Sequence, residues 1–255
     1  GVTGAIYEIG VLAALEERLD GFSLAECDVF VGVSAGSYVG ALVSSGVSPS
    51  VLYRNATHPK ASDIDQLSLF RPNLGEIVGR LVAGPLTLAE TFRELWRDRG
   101  EMTVTDFVAS FAGLLPSGFF VLDGLEAWLE RWLSADGRTN DFRQLRNKLR
   151  VVAVELDTGE TRVFGEAGSE DVPISKAVAA SCALPGFFRP VRIGGTDFID
   201  GGVRKTAHIS LALRDRCGLV LCVNPIVPGR FQVPSGLSPI RRDRGALAGR
   251  GLLPI

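Results

Sequence analysis

The sequence predicts an α/β domain with a mostly parallel sheet covered by helices on both faces, and three observations carry that expectation. Short apolar runs alternate with stretches of helical periodicity along the chain. One such run, "CDVFVGV" at 27–33, leads straight into a Gly-x-Ser-x-Gly turn and a second helical stretch. Another, "LRVVAVELDTGETRVF" at 149–164, reads as two strands about an Asp-Thr-Gly-Glu turn. No internal repeat or shift of composition divides the chain. It reads as one domain over 1–228 with a helical cap inserted at about 50–147, followed by a loop or incomplete segment over 229–255.

The elements follow in order. "GAIYEIGVLAALEERL" (4–19) gathers Ile6, Ile9, Val11, Leu12, Leu15 and Leu19 largely on one face, as an amphipathic helix requires. "CDVFVGV" has the near-continuous hydrophobicity of a buried strand. "AGSYVGALVSSG" returns to helix and stops near Gly46. Between 50 and 105 the signals are mixed, with helical pieces around "LGEIVGRLVAG" and "LTLAETFRELWRDRG". "DGLEAWLERWLS" (123–134) aligns Leu125, Trp128, Leu129, Trp132 and Leu133 at helical spacing. "ISKAVAASCAL" is a helix of small residues stopped by Pro185. "FFRPVRIGGTDFIDGGV" holds strand pieces and tight turns, and "GLVLCVNPIVP" reads as a further buried strand.

Composition narrows the function. Hydrophobic residues make up 46% and charged residues 22%, which suits a globular core. The formal net charge of −2 creates no field that would gather nucleic acid. The four cysteines, Cys27, Cys182, Cys217 and Cys222, form no CxxC pair and lie near no histidine. They predict no metal site, and Cys27 and Cys222 read as buried, reduced thiols. No cofactor is implied. No apolar run reaches the ~18 residues needed to span a bilayer. The expected location is cytoplasmic or peripheral to a membrane, with a signal peptide ahead of Gly1 left open because the chain starts without Met.

Gly32-Val33-Ser34-Ala35-Gly36 carries the chemistry. A serine on a sharp strand-to-helix turn presents its hydroxyl above the sheet, and such a turn needs small neighbours, here Gly32 and Gly36. The helix behind it aims free N–H groups at the reacting atom, so the Ala35 N–H is placed to receive an oxyanion. The competing reading is a Gly/Ser turn that merely joins two elements.

A nucleophilic serine needs a base. His58, in the polar stretch "NATHPKASD", reads as a solvated loop residue. His208 fits the third place of a Ser-Asp-His order, and fits a structural histidine equally well. Asp200, at the end of "FIDGGV", sits where Gly201 and Gly202 let a tight turn approach another loop closely. Alone, Asp-Gly-Gly is also an ordinary turn signal.

Taken together, the glycine-rich start of the first helix, "GVSAGS" around Ser34, "VVAVELDTGE", "AVAASCALPGFFRPV" and the distal "DGG" resemble the patatin-like phospholipases in kind and order, from Gly1 to about Pro228. The resemblance implies a three-layer α/β/α fold and a Ser–Asp pair in place of a triad. Ser34 is then the nucleophile and Asp200 the base, and His208 is not required. It also implies a glycine-rich oxyanion loop in which Gly1 takes the third glycine position and Gly4 the last. The remaining glycines and a preceding strand are expected upstream of Gly1. Thr3 stands where that family usually carries Arg, which puts recognition of a phospholipid headgroup in question more than ester hydrolysis.

The implied reaction is cleavage of a lipid carboxylic ester through an acyl-serine. A carboxylate is a weak base, so proximity, exclusion of water and oxyanion stabilisation must carry most of the rate. The uncharged "FVASFAGLLPSGFF" (107–120) reads as a lid or interfacial segment or as core beneath the cap. Trp96, Trp128 and Trp132 fit a lipid interface or core packing, and the basic "RRDRGALAGR" fits an anionic surface or a solvated loop. The alternatives to the Ser–Asp hydrolase are a Ser-His-Asp enzyme using His208 and a non-catalytic lipid-binding protein. The oligomeric state is left open.

Overall fold

The computed structural model describes residues 2–57, 69–80, 116–135 and 137–226. Gly1, His58, Trp96, "FVASFAGLLPSGFF" as far as residue 115, and the basic stretch after 240 lie outside the described residues, as does most of the 50–105 region beyond residue 57.

Helix α1 (Val2–Arg18) leads through a short turn to β1 (Val29–Val33), which runs into α2 (Ala35–Ser44) and then α3 (Pro49–Thr57). Strands β2 (Arg71–Pro72) and β3 (Gly118–Val121) precede α4 (Asp123–Leu133). Then come β4 (Lys148–Glu155), β5 (Thr161–Phe164), α5 (Ile174–Ser181), β6 (Gly186–Phe188), β7 (Val191–Ile193), β8 (Thr196–Asp200) and α6 (Ile209–Arg214). β2, β3 and β6 form a small second sheet.

The main sheet is mixed, whereas the sequence predicted a mostly parallel one. Among the described residues of this sheet, β1 and β4 pair in parallel, while β4 with β5, β4 with β8 and β7 with β8 are antiparallel. The reason lies in the connections. β7 and β8 are joined by Gly194-Gly195, both at positive φ, and β4 and β5 by the turn carrying Gly159 at φ +68°. Connections this short return the chain antiparallel, while a parallel neighbour needs a long crossover like the one between β1 and β4.

β4 is the axis of the sheet. Its residues Val151, Val152 and Ala153 are fully buried. β5 covers residues 151–154 along one edge. The other edge is shared end to end, with β1 on residues 148–152 and β8 on residues 153–155. Helix α5 lies against this strand. It touches β4, β8, α2 and α4, and Ala177, Val178, Ala179 and Ala180 are all fully buried. A helix of small side chains is what allows packing on every side without forcing sheet and helices apart. From α4, Leu125, Leu129 and Leu133 enter the same core, as their spacing predicts. Trp128 and Trp132 stack at 6.3 Å on the flank of that core, and Trp128 also meets Tyr38 at 6.0 Å. Each fully buried leucine contributes about 1.5–3 kcal/mol.

Two expectations are corrected. Ile6 in α1 and Leu19 just beyond it are exposed, and Ala5, Glu8, Ile9 and Leu12 point inward instead. The run "GLVLCVN" is not a strand: residues 218–224 carry no ladder pairing, Leu219 and Leu221 are exposed, and Cys222 is exposed with them. Among the described residues β1 pairs with β4 alone, and this run makes no ladder bonds to its other edge. A cavity of about 400 Å³ separates it from β1 and α1.

Candidate active site

The ends of β1 and β8 build the site. Val33 pairs with Val152 and Asp200 pairs with Ala153, so the two strands meet nose to nose on consecutive rungs of β4. Ser34 follows Val33 directly. The register therefore brings Ser34 and Asp200 together at one point on the sheet, although 166 positions separate them in sequence.

Ser34 occupies a strained turn. Its φ of +53° and ψ of −124° are rare for a residue with a Cβ. Conformations of this kind cost about 1–3 kcal/mol and persist only where the surroundings enforce them. Serine in front of a helix ordinarily caps it, accepting an N–H from the first turn. Ser34 makes no such side-chain cap, and its hydroxyl has no hydrogen-bond partner among the described residues. The work of holding the turn falls to others. Ser37, fully buried, donates its hydroxyl to the Ser34 carbonyl at 2.6 Å.

The flanking glycines differ in what they do. A Cβ on Gly32 would lie 2.5 Å from the Gly36 carbonyl and from the Ser37 Cα, so only glycine fits there. A Cβ on Gly36 would meet the Glu8 carboxyl at 3.5 Å, an ordinary contact. The expectation that both must be glycine for lack of space thus holds for Gly32 alone. Ala35 opens α2, and its N–H is one of the first-turn donors that have no carbonyl a turn earlier in the helix.

Asp200 is buried, with 4% of its surface exposed. Its Oδ1 accepts the Gly202 N–H at 2.7 Å and its own N–H donates to the Ala183 carbonyl at 2.9 Å. A Cβ on Gly201 would strike the Val152 carbonyl at 2.5 Å, and one on Gly202 would crowd the Asp200 Oδ1 at 3.1 Å. Gly201 therefore lets the turn lie against β4, and Gly202 leaves room for the Asp200 carboxylate.

His208 stands at the N-cap position of α6, makes no side-chain cap there, and faces the cavity beside β1. Its Nε2 has no partner, and no hydrogen bond links it to Ser34 or Asp200 among the described residues. Burial, reinforced by the Lys205 charge, holds its pKa below the ordinary histidine value. Thr3 is exposed on the first turn of α1. Among the described residues no group of three or more His, Cys, Asp or Glu side chains could hold a metal ion, and no helix is long and apolar enough to cross a membrane.

The sequence reading missed several residues. Ser181 and Cys182 end α5 with their side chains on the Ser34 backbone. Glu8 sits on the buried face of α1 against Gly36, and its Oε2 has no partner. Burial pushes the Glu8 carboxyl up to about 7. Serines in a small-residue helix look like filler, and a single glutamate in an amphipathic helix looks solvated. The one available signal for Glu8 was its four-residue spacing from Gly4, which puts both on one face of α1. That face meets α2: a Cβ on Gly4 would approach Pro225 at 3.3 Å and Ala35 at 4.0 Å.

A family model for patatin-like phospholipase matches residues 1–213. The uncharacterized protein YqhO of Bacillus subtilis is 24% identical over 226 residues, covering 85% of this chain and 65% of YqhO. The uncharacterized protein R571 of Acanthamoeba polyphaga mimivirus is 25% identical over 142 residues, covering 54% of this chain and 48% of R571. Among solved structures, VipD from Legionella pneumophila superposes with a TM-score of 0.43 at 18% identity, over 78% of this chain and 44% of VipD. The chain thus spans less than two thirds of the length of each of these relatives.

Proposed function

Because the chain belongs to the patatin-like phospholipase family, we propose that it is a lipid acyl hydrolase that cleaves carboxylic esters through Ser34 and Asp200. The observation that carries this reading is the uncommitted Ser34 hydroxyl, raised on a strained turn where β1 and the Asp200 strand meet on β4.

Asp200 takes the hydroxyl proton as Ser34 Oγ attacks the ester carbonyl. The carbonyl oxygen becomes an oxyanion, stabilised by the Ala35 N–H and by glycine N–H groups around Gly1. Collapse expels the alcohol, which leaves with the proton from Asp200. Water then attacks the acyl-serine as Asp200 takes its proton; the bond from the acyl carbon to Ser34 Oγ breaks, Asp200 returns the proton to Oγ, and the fatty acid leaves. Removing one oxyanion donor from such a site costs roughly 3–4 kcal/mol in the barrier. The mixed sheet is read as the centre of a three-layer α/β/α fold, with the region of about 50–147 as its cap. Substrate is a lipid ester met at a membrane or other lipid interface.

The test is turnover of p-nitrophenyl esters of increasing acyl length, and of mixed micelles of phospholipid, lysophospholipid and acylglycerol. Hydrolysis lost on Ser34→Ala is the expected result. A folded protein that hydrolyses none of these would sink the reading.

A further inference from the structure

We propose that Ser181 and Cys182 are positioning residues that hold Ser34 in its strained turn and in register with Asp200. This rests on the reading of Ser34 as nucleophile and Asp200 as base.

Three consecutive residues at the end of α5 grip both partners. The Ser181 hydroxyl donates to the Val152 carbonyl at 2.6 Å and accepts the Ser34 N–H at 2.9 Å. The Cys182 thiol donates to the Ser34 carbonyl at 3.2 Å. The Ala183 carbonyl accepts the Asp200 N–H at 2.9 Å. Val152 is itself the rung on which Val33 sits, and Ala153 the rung of Asp200. One end of one helix therefore fixes the residue after β1 and the last residue of β8 against the same two positions of β4.

The chemistry suits the task. A serine hydroxyl has one proton to donate and lone pairs to accept with, so Ser181 can be anchored to β4 and still receive an N–H. It is fully buried. The thiol must keep its proton to donate. Burial, and then the charge of Asp200, push Cys182 up to about 12, so it stays a thiol across the working pH range. Ser37 shares the Ser34 carbonyl with Cys182. The Ser34 N–H is held by Ser181. Without that hydroxyl, the Ser34 N–H loses the partner that holds it at this turn, and the Val152 carbonyl loses its bond to α5.

The test compares Ser181→Ala with Ser175→Ala. Ser175 is as buried, stands in the first turn of the same helix and bonds to Asn140, far from the turn. Each variant is melted, its crystal structure is solved, and the phosphonylation of Ser34 by a fluorophosphonate is resolved into binding and maximal rate. Expected is a Ser34 that leaves positive φ in Ser181→Ala, with a maximal rate lower by about tenfold to a hundredfold and reagent binding little changed, since misplacement of about 1 Å can cost about 10² in rate. Ser175→Ala loses stability and keeps the wild-type rate. Cys182→Ala slows labelling less, and Cys182→Ser restores it. That pair carries the same test if Ser181→Ala does not fold.

A Ser34 that keeps its turn in Ser181→Ala overturns the proposal, as does a labelling rate equal to wild type, or a rate that falls equally in Ser175→Ala. If the wild-type protein itself resists the reagent, the hydrolase reading falls, and the conformation of Ser34 in the variant crystals still decides whether Ser181 and Cys182 hold it.

Discussion

Val33 and Asp200 occupy consecutive rungs on one edge of β4, Val33 opposite Val152 and Asp200 opposite Ala153, one strand arriving in parallel and the other antiparallel. The residue after the first strand and the last residue of the second are thereby forced together by backbone register, before any side chain contributes. Predictions about the site follow from that meeting point.

Asp200→Asn keeps the shape of the side chain and its Gly202 contact but cannot accept a proton. Turnover of a p-nitrophenyl ester is expected to fall by roughly 10²–10⁴, the usual worth of a general base. His208→Ala is expected to retain most of the wild-type rate, because its imidazole bonds neither partner. A His208→Ala variant as dead as Asp200→Asn, with an unchanged melt, would point to a triad instead.

The two turn glycines should separate on substitution. Gly32→Ala drives a Cβ to 2.5 Å from backbone and should destabilise by roughly 2–4 kcal/mol or prevent folding. Gly36→Ala meets only the Glu8 carboxyl at 3.5 Å and gains helix propensity, so its unfolding free energy should change by less than about 1 kcal/mol. Urea melts of both variants check this. Equal losses would mean that the turn is not built as described.

Gly201→Ala belongs with Gly32→Ala, since its Cβ would lie 2.5 Å from the Val152 carbonyl. Where this variant folds, the Asp200 turn must lift from β4. Activity should then fall further than stability explains, measured as turnover at a temperature where far-UV circular dichroism reports a folded protein.

Glu8 gives a pH dependence with a definite sign. Burial raises its carboxyl from 4.5 to about 7, so the folded state binds the proton more tightly than the unfolded chain. Stability from this group is full below about 4.5 and declines as pH rises through 7. Glu8→Gln mimics the neutral acid. It should match wild type near pH 4 and exceed it at pH 8, by up to about 3 kcal/mol. A Glu8→Gln protein less stable than wild type at pH 8 would show that the charged carboxylate has a partner.

What could be read in the sequence was whatever depends on neighbours along the chain. The strand, turn and helix around Ser34 were legible because Gly32 and Gly36 flank the serine within five residues, and the β4–β5 hairpin because Gly159 marks its turn. α4 was legible from Leu125, Leu129 and Leu133. What depends on neighbours across the fold was not. The direction of β8 follows from the short Gly194-Gly195 connection rather than from the alternation of elements. Residues 219–223 have the composition of a strand without a ladder to join. Ser181 and Cys182 show their role only when α5 ends beside Ser34, and Glu8 only when α1 lies on Gly36.

Whether Ser34 is the nucleophile is decided by covalent labelling of the protein with a fluorophosphonate, the adduct located by mass spectrometry in wild type, Ser34→Ala and Asp200→Asn. A Ser–Asp pair gives one adduct on Ser34, absent in the first variant and formed far more slowly in the second. A folded wild-type protein that takes no label on Ser34, with and without a detergent or lipid interface, would contradict it and leave Ser34 as a residue of the turn alone.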